Sequence, residues 1–390
     1  MHNKKEPLDA YALLLSEDCN LACKYCYERK GIGHAYQSMP FPVIDHTFEL
    51  IKNNYTIHGT SVCDITLFGG EPFLNIPGIE YILETASELS INLPIEFSIH
   101  AISNGTILNK KIFEVISKHN NLFTQVQLSV DGIKHVHDKY RVLKSGKGSF
   151  ALVERNIHLW KTLLNNKATI HSVVTKDSIP FIYENYSFFR YQWGILNIWF
   201  LPAKDDNYSE LDIELYDQQM GLVAGKILHD LNTRKTLETF QGFSPFSKIL
   251  SPGQDIPCGA GKNYCTIDVA GDIYPCHHFR FIDTNKSTVF GNVFEGIEDS
   301  RRNLFIGYGP EDIVGCQDCE LRFRCFRCLA ENYDKYGSPF IQVKGAHCKF
   351  MKIDNKYQKL LLERAVELGL VDIETANSNV DVVQTSFCKP

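Results

Sequence analysis

Cys19-Asn-Leu-Ala-Cys23-Lys-Tyr-Cys26 sets three thiols in a C-x3-C-x2-C spacing directly after the short apolar run Tyr11-Ala-Leu-Leu-Leu15. Three thiolates so spaced can ligate three irons of a cubane iron–sulfur cluster and leave the fourth iron open. Zinc prefers four closed ligands, so three thiolates with no nearby His do not suit a structural zinc site. The same positions would also line one face of a buried helix, since a free cysteine packs like a small hydrophobe. Asn20 and Lys24 interrupt such a face, and companion cysteines downstream favour the cluster.

Those companions account for most of the 13 cysteines. They run Cys258-x6-Cys265-x10-Cys276, then Cys316-x2-Cys319-x5-Cys325-x2-Cys328, then Cys348. Eight thiolates suffice for two four-cysteine sites, of zinc or of iron. Cys63 and Cys388 stand apart and are expected to be a buried strand residue and a tail residue. The first ten residues carry Lys4, Lys5, Glu6 and Asp9 with no apolar run behind them, unlike a signal peptide. No stretch approaches the ~20 apolar residues that span a bilayer. A cytoplasmic location without a membrane contact is therefore expected, and there thiols stay reduced. A net charge of −6 argues against a nucleic-acid partner, which needs a basic face.

The elements that must position these thiols alternate in type from residue 10 to about 205. Strand-like runs at Tyr11–Leu15, Asp64–Phe68, Glu96–Ile102, Gln125–Asp131, Ala168–Thr175 and Ile195–Leu201 end in Gly, Asn, Asp or Pro. Amphipathic stretches near 43–55, 78–90, 109–118, 150–164 and 180–192 lie between them. The expected fold class is α/β: a partial (β/α)6 TIM barrel, followed by a small cysteine-rich domain and a C-terminal helix. Six units rather than eight leave a lateral mouth, and the loops after the strands are where a site collects. The expected boundaries are 1–240 for the barrel, with a helix over Leu211–Leu231, and 241–257 for a Gly/Pro/Ser-rich linker. The cysteine-rich domain follows over 258–350, a closing helix over 351–371 and a flexible tail over 372–390.

An open iron can hold a bidentate ligand with an amine and a carboxylate, and S-adenosylmethionine supplies both. One electron into its sulfonium then gives a 5′-deoxyadenosyl radical, chemistry that belongs to the cofactor. With these residues the chain resembles the radical S-adenosylmethionine enzymes over roughly residues 10–205. Phe68-Gly69-Gly70-Glu71-Pro72 resembles the family's GGEP element, in which the glycines let the backbone approach the cofactor and Glu71 accepts from its ammonium. Ser103-Asn104-Gly105-Thr106 is similar to the polar turn that helps to hold it. Ser129-Val-Asp131-Gly132 with Arg141 resembles the pattern in which a Ser and an Arg reach the ribose and the carboxylate. By the same resemblance Tyr25 meets the adenine through its backbone, and Leu201-Pro202 forms part of the adenine wall.

The later cysteines resemble the SPASM domain of peptide-modifying radical enzymes, which carries two auxiliary 4Fe–4S clusters and would bring the total to three. That resemblance gives Cys258, Cys265, Cys276 and Cys328 to the first auxiliary cluster, and Cys316, Cys319, Cys325 and Cys348 to the second. Cys325-Phe-Arg-Cys328 has two intervening residues where the family has three, which makes Cys328 the ligand in question. Without it, the first auxiliary cluster would keep an open iron for a substrate thiolate. Arg322, Arg324 and Arg327 would raise the potential of a nearby anionic cluster.

Tyr274-Pro-Cys-His277 looks more like maturases that crosslink ribosomal peptides than like sulfatase maturases, where an Asp base follows the equivalent cysteine. His277 is a candidate base or hydrogen-bond donor. The expected function is thus radical modification of a ribosomally made peptide, ending in a thioether or C–C crosslink. The alternatives are formylglycine formation from Cys or Ser, and a non-catalytic electron carrier, which would have no use for Glu71 or Arg141. A flavodoxin or ferredoxin would supply electrons. Only 18 residues precede Cys19, so the peptide is expected to be recognised by the barrel mouth, the SPASM face or a separate leader-binding protein.

Overall fold

The computed structural model of the chain describes residues 7–29, 37–204, 207–235, 258–323, 325, 327–342 and 344–370. The expected linker 241–257, the tail 372–390, Cys388 and Arg324 lie outside these residues.

Six strands, β1 (Ala10–Ser16), β2 (Val62–Gly69), β3 (Glu96–Ser103), β4 (Phe123–Ser129), β5 (Ala168–Val174) and β6 (Asn197–Pro202), pair in sequence order and all in parallel. The helices between them are α1 (Phe41–His58), α2 (Ile76–Asn92), α3 (Lys110–Lys118), α4 (Lys134–Tyr140), α5 (Phe150–Leu163) and α6 (Ile182–Ser187). The expected partial barrel of α/β type is what forms. Every residue of β1 is buried, as a parallel strand covered on both faces requires. α1 stops where Gly59, at φ 70°, caps it in the left-handed region.

Alternation along the strands divides the sheet into two faces. Tyr11, Leu13, Cys63, Ile65, Leu67, Ile99, Val126, Leu128 and Ile170 join the helices in the main apolar core. The opposite face carries buried polar groups, among them Thr66, whose hydroxyl lies 2.7 Å from His100 Nε2.

β6 leads into α7 (Glu210–Arg234), which opens with a capping box between Ser209 and Asp212. The following elements are β7 (Tyr264–Ile267), β8 (Asp272–Tyr274), α8 (His277–Ile282), β9 (Gly291–Asn292), β10 (Gly296–Ile297), α9 (Asp299–Ile306), α10 (Leu329–Tyr336) and α11 (Ala346–Glu367). The cysteine-rich segment does not start a sheet of its own: β7 pairs in parallel with β1, with Tyr11 opposite Cys265, and β8–β10 continue antiparallel. The single sheet therefore runs β10-β9-β8-β7-β1-β2-β3-β4-β5-β6, and the β1 edge of the barrel mouth is occupied. The closing helix also starts earlier than residue 351, so Cys348 lies in the first turn of α11. α11 packs along α7 through Phe350 against Tyr216 and through Tyr216 OH, which donates to Asp354 Oδ1 at 2.9 Å.

Candidate active site

The Cys19–Cys26 loop leaves the C-terminal end of β1 and is clamped from two sides. Ala22 N and Lys24 N donate to the carbonyls of Val142 and Tyr140, at 2.6 and 2.9 Å. From the other side, Gly70 N donates to Ser16 O and Glu71 N to Asp18 O, at 2.8 and 2.9 Å. A Cβ on Gly69 would stand 2.4 Å from Ser16 O, and one on Gly70 would stand 2.4 Å from Asp18 O. The glycines thus serve a close approach of backbone to backbone that sets the cysteine loop against the end of β2, a role that residue types alone do not separate from cofactor access.

Glu71 is fully buried and joins three strand ends. Its carboxylate accepts from Ser103 Oγ at 2.9 Å, Asn104 N at 2.8 Å and Phe73 N at 3.2 Å. Burial pushes its pKa up to about 7 against the pull of those hydrogen bonds. Asn104 reaches back to the loop: its Nδ2 donates to Cys19 Sγ at 3.6 Å and to Asn20 Oδ1 at 2.9 Å. Burial, followed by the charge of Glu71, raises Cys19 to about 12. Glu28, just past the loop, was not singled out from the sequence; burial and Glu71 raise it to about 8. Two carboxyl groups so placed would ionise readily only beside a cation, such as an ammonium.

Across the loop, Asp131 is the hub of a second network. Arg141 Nε donates to its Oδ1 at 3.0 Å, Val173 N donates to the same oxygen at 3.2 Å, and Tyr25 OH donates to Oδ2. Both members of the Asp131–Arg141 pair are buried, and Tyr25 lies with its ring centroid 5.4 Å from the guanidinium carbon. Ser129 closes β4 beside this network, and Pro202 closes β6 opposite Val174. The expected cofactor residues therefore collect at the C-terminal ends of β2, β3, β4 and β6. Asp131 is committed to holding Arg141 and Tyr25.

The later cysteines fall into two groups. Cys316, Cys319, Cys325 and Cys348 act on one another electrostatically, and Arg327 pulls the pKa of Cys316 and Cys325 down against burial. Arg327 is itself buried, and its Nε has no partner among the described residues. A buried guanidinium with a spare donor among four thiols fits an anionic cluster. In the second group, Cys328 acts on Cys258 and Cys276, and all three pack with the apolar cluster formed by Tyr264, Tyr274 and Phe279. Cys276 is the N-cap of α8 and Cys328 that of α10, where its Sγ accepts from Glu331 N at 3.4 Å. Helix N-termini favour thiolates, which suits metal ligands. Lys204, just beyond β6, hydrogen-bonds to Cys328.

Cys265 does not join them. β7 alternates, so Tyr264 faces Cys276 while Cys265 faces Tyr11 and Cys63 in the main core. Of the four thiols expected at the first auxiliary site, Cys258, Cys276 and Cys328 pack together and Cys265 packs apart from them. Among the described residues no three His, Cys, Asp or Glu side chains close around a single metal ion. Three thiols in each of two groups and four in the third are donor sets that suit iron–sulfur chemistry.

His277 lies between the first loop and this group. Tyr264 OH is 3.1 Å from its Nδ1, and its ring meets Phe68 at 4.6 Å. Burial, then Lys204, lowers its pKa to about 3, so it is a neutral hydrogen-bonding ring and a poor base.

The Radical SAM superfamily model matches residues 13–180. The chain is similar to the radical SAM cyclopropyl synthase TigE of Paramaledivibacter caminithermalis, at 25% identity over 95% of this chain and 77% of that protein. It is also 29% identical to a cysteine-type anaerobic sulfatase-maturating enzyme of Clostridium novyi, over 78% of this chain and 83% of the relative. Its fold is similar to that of anSMEcpe solved with AdoMet and the Cp18Cys peptide, with a TM-score of 0.67 at 21% identity over 93% of this chain and 99% of that one. No described helix is long and apolar enough to cross a membrane. The loop, the Glu71 turn and the Arg141 pair all lie inside the matched span, so residues 13–180 are a Radical SAM domain.

Proposed function

We propose that the chain is a radical SAM maturase that binds S-adenosylmethionine, abstracts hydrogen from a residue of a ribosomally made peptide, and leaves a thioether or C–C crosslink. When bound, the cluster and S-adenosylmethionine supply a carbon-centred radical. The observation that carries the reading is the placement of Cys19–Cys26, Glu71 and the Asp131–Arg141 pair at neighbouring strand ends, with two further cysteine groups behind them.

Cys19, Cys23 and Cys26 would hold the first cluster. Glu71, with Glu28 behind it, would accept from the ammonium of S-adenosylmethionine, and Ser103 and Asn104 would keep Glu71 and Cys19 in register. Arg141, held by Asp131, would offer its remaining donors to the carboxylate. Tyr25, Ser129 and Pro202 would border the nucleoside. Cys316, Cys319, Cys325 and Cys348 would hold an auxiliary 4Fe–4S cluster, and Cys258, Cys276 and Cys328 another, within a SPASM-like domain over 258–350. A flavodoxin or ferredoxin would reduce the protein in the cytoplasm. The peptide would dock at the barrel mouth, at the SPASM-like face or through a leader-binding partner.

Similarity to a sulfatase-maturating enzyme over 78% of the chain favours formylglycine formation as the second reading. His277, engaged with Tyr264 and low in basicity, weakens it, because that reaction is expected to use a base at this position. Mass spectrometry of candidate peptides separates the two. A crosslink removes two hydrogens and keeps sulfur, whereas formylglycine formation from Cys replaces sulfur by an aldehyde oxygen. Products without a crosslink would overturn the leading reading.

A further inference from the structure

The two later cysteine groups are neighbours, and one buried guanidinium acts on both. Cys316 of the second group belongs to the same apolar cluster as Cys258, Cys276 and Cys328 of the first. Along the chain, Cys325 and Cys328 go to different groups although only two residues separate them. Three steps of extended backbone span at most ~11 Å, so the groups are tied together at short range. Arg327 is one of the two intervening residues.

Arg327 is 1% exposed, yet its guanidinium has no carboxylate partner among the described residues. Nη1 donates to Pro310 O at 3.3 Å and Nη2 to Arg322 O, two carbonyl contacts that orient the group without neutralising it. Nε is buried and has no partner among the described residues. Burying a cation with a donor left over is costly unless something anionic meets it. The groups around it that can become anionic are thiols. Its charge opposes the effect of burial at Cys316 and Cys325 in the second group and at Cys258 in the first.

Two other cations near these thiols are placed differently. Arg322 donates to Cys319 O at 3.4 Å, and its guanidinium carbon lies 4.5 Å from the ring centroid of Phe323. Lys204 acts on Cys258, Cys276 and Cys328, all of the first group. Of the three, Arg327 is the one that acts on both groups. A 4Fe–4S cluster held by thiolates is anionic, and its potential rises with nearby positive charge and with hydrogen bonds to its sulfurs.

We propose that Arg327 is the shared counter-cation of the two auxiliary clusters. Its Nε–H donates to a sulfur of the cluster held by Cys316, Cys319, Cys325 and Cys348, and its charge raises the reduction potential of both clusters. The proposal rests on the reading of these cysteines as iron–sulfur ligands. It goes beyond that reading in assigning one residue that links the two redox centres.

The test uses the full-length chain, anaerobically reconstituted, with Cys19, Cys23 and Cys26 replaced by Ala so that the first cluster is absent. Two auxiliary clusters correspond to about eight irons per chain. A mediated dithionite titration followed by electron paramagnetic resonance gives their midpoint potentials. Arg327→Met is expected to lower both, that of the second group more, and Arg327→Lys to restore most of the loss. Iron-replete Arg327→Met with unchanged potentials would overturn the proposal, as would a fall confined to one cluster. A second measurement does not depend on how the Met variant folds. With heavy nitrogen at arginine Nε, the reduced clusters are expected to show a nitrogen coupling in pulsed resonance that Arg322→Lys keeps and Arg327→Lys loses. A chain with native Arg327 that shows no such coupling would overturn the hydrogen bond. A background chain without iron would instead overturn the auxiliary-cluster reading itself.

Discussion

Tyr27 and His278 stack with ring centroids 4.3 Å apart and planes 15° from parallel. One follows Cys26 and the other lies two residues past Cys276, so the stack ties the first cysteine loop to the N-terminal turn of α8. Phe281 meets Tyr27 edge-on at 5.6 Å and completes the contact. The distance between the site that would make the radical and the site that would shape its outcome is thus fixed by aromatic packing as well as by the pairing of β1 with β7.

Replacing Tyr27 by Leu should cost about 1 kcal/mol of stability from the lost ring geometry. The informative readout is coupling. Iron content should hold, while more 5′-deoxyadenosine is released per peptide modified than in the native protein.

Gly70→Ala should lower iron incorporation at the first site. The new Cβ would overlap the carbonyl oxygen of Asp18, which is backbone and cannot swing aside, so Cys19 must move. Iron counting and the visible absorption of reconstituted protein check this. The two auxiliary groups should retain their share.

Removing Asp131 should harm more than removing its pair. Asp131→Ala leaves a buried guanidinium without its counter-charge, a loss on the order of 3–5 kcal/mol. The double variant Asp131→Ala/Arg141→Met should unfold at a higher denaturant concentration than Asp131→Ala alone. Both should bind S-adenosylmethionine at least about tenfold more weakly, since a charge-assisted hydrogen bond is worth roughly 1.5–3 kcal/mol.

Stability should fall as pH rises from about 4 to about 7 through Asp354. Burial raises its folded pKa to about 7 from an ordinary 3.8, and only one oxygen is satisfied, by Tyr216. The folded state therefore binds the proton more tightly than the unfolded state. Stability from this group is full below pH 4 and lost as pH approaches 7. Asp354→Asn should flatten that part of the profile in chemical unfolding of the metal-free protein and raise stability at pH 8.

The six parallel strands were legible because each is a run of apolar or β-branched residues closed by a turn former. The motifs at their ends were legible because Gly-Gly-Glu-Pro and C-x3-C-x2-C are rare in combination. β7 to β10 were hidden for the opposite reason. They are two to four residues long, and their pairing depends on a neighbour about 250 residues away. The side on which Cys265 lies has the same origin. The resemblance groups it with Cys258 and Cys276, and only the register with Tyr11 shows which way a four-residue strand faces. Doubt fell instead on Cys328, whose short spacing is absorbed by its position as the cap of α10. Glu28 carried no signal, since one acid in a polar loop looks solvated until the fold half-buries it within reach of the charge of Glu71.

Reductive cleavage of S-adenosylmethionine tests the central claim most directly. Native protein, reconstituted anaerobically and supplied with dithionite, should convert it to 5′-deoxyadenosine, quantified by liquid chromatography. The Cys19→Ala/Cys23→Ala/Cys26→Ala variant should form none above the protein-free control. Equal formation by that variant would contradict the assignment of the loop, and no formation by a native protein that holds its iron would contradict the account as a whole.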